Sequence, residues 1–420
     1  MMKNKIGAVF SLFVVLNLTT VNSASATELN LESVVQRWNQ VSYDDKIAEK
    51  NVAIGGENLI NAGKWANPSI EISAGNRIGL DSGDGGLDPT QLRVNQAIPI
   101  FRTRHQKAVF SETLKGEKSR RKLLQLKKEY DISVEFHELQ FQKAKFVISQ
   151  EKLESIRKAL GRKKKDSLVR FLKPIDKSRL KIEENDAFVA VENNKGELEE
   201  AIENIITHLQ LSRTEEINIK SLSRITKFPS LNKFKDLQTK HPYLNELNHK
   251  QKSFEHKISL EKSKRFNDPV ISLYSEKDYL NNRKQNAYGL SLMFSIPLWN
   301  TNSTEISKAK FNVDKYEFLK SREKLHLDAN LYKSYQHLLH LNELEMNYRT
   351  KVIPSSKKFL NLTVKGFSVG ESNVLSLVDA YDNYYNTQQK YHEVLKNSWK
   401  ELAAVRYFAS QKLSNVEGGN

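Results

Sequence analysis

Phe266-Asn267-Asp268-Pro269-Val270-Ile271-Ser272-Leu273 opens a stretch that closes with Leu290-Ser291-Leu292-Met293-Phe294-Ser295-Ile296-Pro297-Leu298-Trp299, and the chain has already written it once. The earlier copy opens Trp65-Ala66-Asn67-Pro68-Ser69-Ile70-Glu71-Ile72 and closes Leu92-Arg93-Val94-Asn95-Gln96-Ala97-Ile98-Pro99-Ile100-Phe101. Each copy is an aromatic residue, a proline, a strand, a turn, a strand, a proline and an aromatic residue. Each is followed by a long helical stretch. Two lone hairpins joined to long helices have no globular core of their own, so they need partner chains.

The strands show a period of two. Tyr288, Leu290, Leu292, Phe294, Ile296 and Leu298 alternate with Ala287, Gly289, Ser291, Met293, Ser295 and Pro297. One face is large and apolar, the other mostly small. In the first copy Ile70, Ile72, Leu92 and Val94 alternate with Ser69, Glu71, Arg93 and Asn95, and the stretch 79–86 between them, rich in Gly and Asp, reads as a loop. Strands of about 9–12 residues match a tilted membrane-spanning β-strand. Trp65, Phe101, Phe266 and Trp299 bound the hairpins at one level, as an interfacial aromatic girdle requires. The alternative is ordinary aromatic packing where a sheet meets helices.

Outside the hairpins the pattern is helical. Residues 29–63 lean helical, with Leu31, Val34, Val35 and Trp38 on one face and Gly55-Gly56 weakening the middle. From about Thr103 to Val169 there is no proline. Then Lys173-Pro174-Ile175-Asp176 reads as a turn with Asp176 as N-cap of a helix to about Leu211. Ile217, Ile219 and Pro229 mark a small mixed region. His241-Pro242 starts the next helix, and from about Thr304 to Ile353 there is neither Pro nor Gly. Pro354 kinks or interrupts that helix. Gly366 to Asn373 reads as a turn, and the last helix, to about Ser410, carries a heptad stripe of Leu377, Tyr381, Tyr384, Gln388, Tyr391, Leu395, Ser398 and Leu402. The expected organisation is a leader at 1–26, a first repeat at 27–212 with its hairpin at 68–99, a linking region at 213–234, a second repeat at 235–412 with its hairpin at 269–298, and a tail at 413–420.

Composition narrows the class. Of 420 residues, 66 are basic and 50 acidic, a formal net charge of +16. Such a balance suits nucleic acid, anionic lipid or an anionic substrate. Here the Lys and Arg are spread along the whole chain, as on solvated faces of long helices, and an export leader opposes nucleic acid. With no cysteine, there is no disulfide framework, thiolate metal site or cysteine nucleophile. Lys3 and Lys5 precede an apolar run from Ile6 to Leu18, too short to span a bilayer, and Ala24-Ser25-Ala26 fits a cleavage site. No later run is long enough for a transmembrane helix, so membrane insertion must be through strands.

Strand edges in lipid leave unpaired backbone groups costing several kcal/mol each, so membrane strands must close into a barrel. Four strands per chain are too few. Two chains give eight strands and a side-chain-filled interior; three give twelve and room for a lumen. Small polar residues on the inner face (Ser69, Ser73, Asn95, Ser291, Ser295) favour the wet, trimeric solution.

The residues quoted above resemble the TolC-type outer-membrane efflux factors over essentially all of the mature sequence. The resemblance rests on the duplicated plan, on Asn67-Pro68 and Asp268-Pro269 before each hairpin, and on the Ile98-Pro99 and Ile296-Pro297 exits. Most specific is Ser368-Val369-Gly370-Glu371-Ser372-Asn373-Val374-Leu375-Ser376-Leu377-Val378-Asp379-Ala380, which looks like the family's periplasmic tip turn. The fold class implied is mixed α with membrane β. Four strands per chain contribute to a twelve-stranded outer-membrane barrel, a homotrimer, continued by long antiparallel helices as a periplasmic α-barrel. The resemblance further implies a passive duct that docks on a periplasmic adaptor and serves an inner-membrane RND or ABC pump, with no cofactor and no enzymatic chemistry. Val369, Gly370 and Glu371 match the adaptor-contact turn. Asp379 matches a carboxylate that faces the lumen near the closed tip, with Ser376 one turn earlier where some relatives are acidic; the alternative for Asp379 is a solvated helix residue. Ser372 stands where relatives carry Arg, and the first repeat lacks the tip Gly near Lys173-Pro174.

No sequence motif of an enzyme rises above chance. His337 and His340 are i, i+3 on a predicted helix, without a matching carboxylate, so a surface pair is the simpler reading than a metal site. The run 162–165 reads as a solvated helix end. Competing functions are the outer-membrane component of a type I protein secretion system and, in a different class, an exported structural coiled-coil protein.

Overall fold

The computed structural model describes residues 27–73, 91–161, 173–213, 217–280 and 283–412. The leader at 1–26, the loop at 79–86, the basic run at 162–165 and the tail at 413–420 lie outside the described residues. In chain order the elements are β1 (Thr27–Leu29), α1 (Leu31–Val41), α2 (Tyr43–Asn61), β2 (Ser69–Ser73), β3 (Gln91–Ala97), α3 (Thr103–Leu160) and α4 (Pro174–Leu209). They continue with β4 (Ile217–Ile219), α5 (Leu231–Gln238), α6 (Pro242–Ser263), β5 (Val270–Leu280), β6 (Arg283–Met293), α7 (Ser303–Asn347), α8 (Ile353–Val369) and α9 (Val374–Phe408).

The two hairpins join into one four-stranded antiparallel sheet in the order β2-β3-β5-β6. The join is made by β3 against β5, from Gln91 opposite Glu276 to Ala97 opposite Val270. Among the described residues, both outer strands, the five-residue β2 and the eleven-residue β6, keep one unpaired edge.

The helices leave one end of the sheet and lie side by side. Near the sheet the order is α2-α3-α6-α7. Thr113 meets Ser253 at 3.2 Å across α3 and α6, and Phe254 stacks on Tyr316 across α6 and α7. Farther away the neighbours of α3 are α4 and α9, and α9 in turn packs on α7 and α8. The 58 residues of α3 would span about 87 Å at 1.5 Å per residue, so it serves both halves. Where the partners change hands, β1 pairs in parallel with β4. Leu29, Val34, Val35 and Trp38 pack there against Ile132, Phe136 and Leu139 of α3 and Ile205, Leu209 and Ile219. Phe234 of α5 makes a second cluster with Leu331 and Val405. A third core lies at the far end, where Leu153 and Ile156 of α3, Leu180 and Ala187 of α4, and Leu377, Val378 and Tyr381 of α9 meet.

Several boundaries differ from the sequence reading. The break in residues 29–63 falls at Ser42, not at Gly55-Gly56. Ser42 caps α2 by accepting from the Asp45 N–H at 3.3 Å, and Asp44 and Asp45 sit in the first turn, favoured by the helix dipole. Gly55 stays helical and lets Leu114 of α3 approach; a Cβ there would stand 3.2 Å from Leu114 Cδ1. Asp176 is not an N-cap: α4 starts at Pro174 after Lys173, and Asp176 lies in its first turn. Gly366 is still within α8. At Pro354 the α-helix is interrupted, as expected, but the chain stays helical. A π-turn at Tyr348–Val352 precedes the proline, absorbing the lost donor and the ring's clash with the preceding carbonyl.

Candidate functional site

Register fixes which side chains share a face of the sheet. Ile70, Ile72, Leu92, Val94, Ile271, Leu273, Tyr288, Leu290 and Leu292 fall on one face, with Ile70 opposite Val94, Val94 opposite Leu273 and Leu273 opposite Leu290. All nine are exposed. The other face carries Ser69, Glu71, Ser73, Gln91, Arg93, Asn95, Ser272, Tyr274, Glu276, Ala287, Gly289 and Ser291, with Ala97, Val270 and Met293 at its helix end. A sheet with one exposed, mostly apolar face and one mostly small and polar face fits a wall with lipid on one side and water on the other.

The four bounding aromatics lie where the strands meet the helices. Phe101 and Phe266 approach to 6.0 Å between ring centroids. Beside them a cleft between α3 and α6 is lined also by His105, Ser259, Lys262 and Ser263. Trp65 and Trp299 are exposed, Trp299 to 92%. Arg102 and Asp268 tie the two hairpin necks together at 2.5 Å.

At the far end, Gly370 closes α8 with φ 86° and ψ 7°, a left-handed conformation that side chains disfavour. Its N–H donates to the Phe367 carbonyl at 3.3 Å and the Glu371 N–H to the Gly366 carbonyl at 2.8 Å, the paired bonds of a Schellman turn. Asn373 then caps α9 by accepting from the Ser376 N–H at 2.8 Å. Two caps with only two residues between them make a sharp helical hairpin that presents Val369 and Glu371 to solvent. Asp379 and Ser376 lie one turn apart on the exposed side of α9. Among the described residues Asp379 makes no ion pair, whereas Asp382, one turn on, is paired with Lys152 at 2.5 Å.

The tyrosines of the α9 stripe are not simply wet. Tyr381 donates to the Ser155 carbonyl at 3.3 Å, Tyr385 to the Glu151 carbonyl at 3.2 Å, and Tyr391 to Glu345 Oε1 at 3.2 Å. Burial pushes the phenols of Tyr385 and Tyr391 up, so they remain protonated donors. They fasten α9 to α3 and α7. Tyr385 lies off the heptad frame, so that spacing alone overlooks it.

Sequence reading also missed a second pattern. Phe311, Phe318, Leu325, Tyr332, Leu339 and Met346 recur every seven residues along α7, and all are exposed, from 37% at Leu339 to 73% at Phe318. α7 is one lateral edge of the helical layer. On the opposite edge Ile47 and Ile54 of α2, and Ile175, Ile182 and Val189 of α4, are exposed at the same spacing. The signal is present in the sequence as a heptad, but its missing partner helix shows only in the fold.

Some of the charge inside the layer is neutralised. Arg121 donates twice to Asp45, at 3.0 and 2.7 Å, and that bonding holds the Asp45 carboxyl below its ordinary value. His137, stacked on Trp399 at 4.6 Å and bonded to Gln140, is pushed down to about 4 by burial, and so is neutral. His337 meets Glu401 at 3.0 Å, and among the described residues no group of three His, Cys, Asp or Glu could hold a metal ion.

No protein-family model matches the sequence. The cobalt-zinc-cadmium resistance protein CzcC of Cupriavidus metallidurans is 21% identical over 148 residues, 35% of this chain and 35% of that protein, so the match spans about a third of the relative's length. Solved structures are similar over nearly the whole chain. The outer membrane protein VceC of Vibrio cholerae superposes with a TM-score of 0.74 at 10% identity, covering 91% of this chain and 96% of that one. The CmeC outer membrane channel of Campylobacter jejuni gives 0.73 at 12% identity, covering 97% and 94%. The open state of the MtrE outer membrane channel of Neisseria gonorrhoeae gives 0.71 at 14% identity, covering 91% and 89%. The chain therefore has the fold of the TolC-type outer-membrane channels.

Proposed function

We propose that three copies of this chain form the outer-membrane exit duct of a tripartite efflux pump. The observation that carries the reading is that both lateral edges of the molecule are unfinished and complementary. The sheet ends in unpaired β2 and β6, and the helical layer ends in apolar heptad stripes on α7 on one side and on α2 and α4 on the other. Head-to-tail addition of copies completes both layers at once, and a closed ring leaves no edge. Four strands per copy make twelve at three copies. The outward apolar face then meets lipid, and Trp65, Phe101, Phe266 and Trp299 form the girdle at its helix-side border.

In this reading the helices cross the periplasm, and the Val369-Gly370-Glu371 turn docks on a periplasmic adaptor that joins the duct to an RND or ABC pump. Asp379, with Ser376, faces the lumen near the tip, where three carboxylates form a cation-attracting ring. The duct performs no catalysis and needs no cofactor. The likeness to a cobalt-zinc-cadmium resistance protein makes divalent cations the first cargo to test, although the pump selects the cargo. The test is purification of the full chain from membranes in detergent, mass determination of the intact assembly, and reconstitution in planar bilayers. A trimer that conducts supports the duct. A soluble, non-conducting monomer removes it and returns the exported structural protein as the reading; a conducting trimer encoded beside an ABC exporter and a large secreted repeat protein moves the cargo to protein export.

A further inference from the structure

The bulkiest and most charged row on the polar face of the sheet lies next to a row of small polar residues. Across the four strands Glu71 stands opposite Arg93, Arg93 opposite Tyr274, and Tyr274 opposite Gly289. The next row toward the helices on that face is Ser69, Asn95, Ser272 and Ser291, and the next row away from them includes Gln91, Glu276 and Ala287. The row is held in place. The Tyr274 ring lies over Gly289, where any Cβ would overlap it, and the Arg93 guanidinium lies 5.4 Å above the same ring. Arg93 also donates to Gln91 Oε1 at 3.3 Å, while its Nε–H, shielded from solvent, has no partner among the described residues.

The directly opposed acid and base do not neutralise each other. Glu71 accepts instead from Asn95 Nδ2 at 3.4 Å, and among the described residues Arg93 makes no ion pair. An arginine free of a carboxylate in the middle of a strand that borders lipid is costly unless it faces water and has work to do there.

Resting on the duct reading, we propose that this row is a charged eyelet across the lumen of the barrel. Three copies place carboxylates and guanidiniums alternately around the ring, with Tyr274 as the platform that aims Arg93 inward. The guanidiniums offer hydrogen-bond donors to anionic and zwitterionic small solutes, and the alternating charges set a field across the path. The eyelet stands in the membrane barrel, at the opposite end of the duct from Asp379.

The test uses the reconstituted full-length assembly and the reversal potential under a KCl gradient, with intact trimer mass as the folding control. Arg93→Gln shifts the permeability ratio toward K+ by about twofold, and Glu71→Gln shifts it toward Cl−. Tyr274→Phe leaves selectivity near the parent, while Tyr274→Ala raises single-channel conductance by removing the platform. Opposite shifts from the two charge variants support the eyelet, because a merely structural role would move both the same way or neither. Parent-like selectivity and conductance in both sinks it while leaving the duct intact. A parent assembly that opens no channel sinks both.

Discussion

His137 and Gly370 show how single residues commit to one state. The imidazole of His137 titrates near 4 in the fold and near 6.5 in the unfolded chain, because its site excludes water and Arg406 lies nearby. Between those values the unfolded chain binds the extra proton. Stability from this residue is therefore complete above pH 6.5 and falls as the pH drops toward 4, by about 3 kcal/mol. His241, pushed down to about 4 by burial, adds in the same direction. Thermal unfolding of the detergent-solubilised protein from pH 7 to 4 should show the loss, and His137→Gln should flatten part of it. An unchanged slope in that variant would place the effect elsewhere. At Gly370 the left-handed backbone is the issue: Gly370→Ala should cost about 1–2 kcal/mol, seen as a lowered midpoint in denaturant. Gly196 lies within α4, and a Cβ added there would meet nothing within 4 Å. It should instead tolerate Ala or gain from it. Both glycines are visible in the sequence; only φ separates them.

Elements are legible where one periodicity acts alone. The alternation in β5 and β6 and the proline-free run of α3 are strong because strand and helix periods go unopposed. Boundaries are hidden where short-range capping competes with propensity: Ser42 breaks a helix that Gly55 merely weakens, and Pro354 is absorbed by a π-turn. The α7 stripe is the element whose meaning depends most on assembly. Burying one large apolar side chain contributes about 1.5–3 kcal/mol, so Phe318→Glu with Leu325→Glu removes a large share of the lateral contact and adds charge to the seam. The expected outcome is loss of trimer at unchanged helical content, read by intact mass and circular dichroism. A stable trimer in that double variant would show that α7 does not form the seam.

At the scale of the whole molecule, the duplicated hairpin and helix plan reveals the architecture, while the site stays partly hidden. The turn at Val369, Gly370 and Glu371 can be located from its local pattern, whatever docks there. The row of Glu71, Arg93, Tyr274 and Gly289 cannot, since its members are drawn from four strands whose register is set by pairing across distant sequence. Asp379 belongs at this scale, because the proposed carboxylate ring needs a closed trimer. Asp379→Ala should raise conductance or weaken block by multivalent cations; unchanged conductance and block would take it out of the constriction. The π-turn before Pro354 has a consequence for the proposed trimer. The seven-residue frame that exposes Phe311 through Met346 would arrive at Leu360, yet Leu360 is buried. One wide turn thus re-indexes the helix, so the stripe proposed as the lateral seam and the turn proposed to dock keep separate phases. Substitution can retune one without shifting the other out of step.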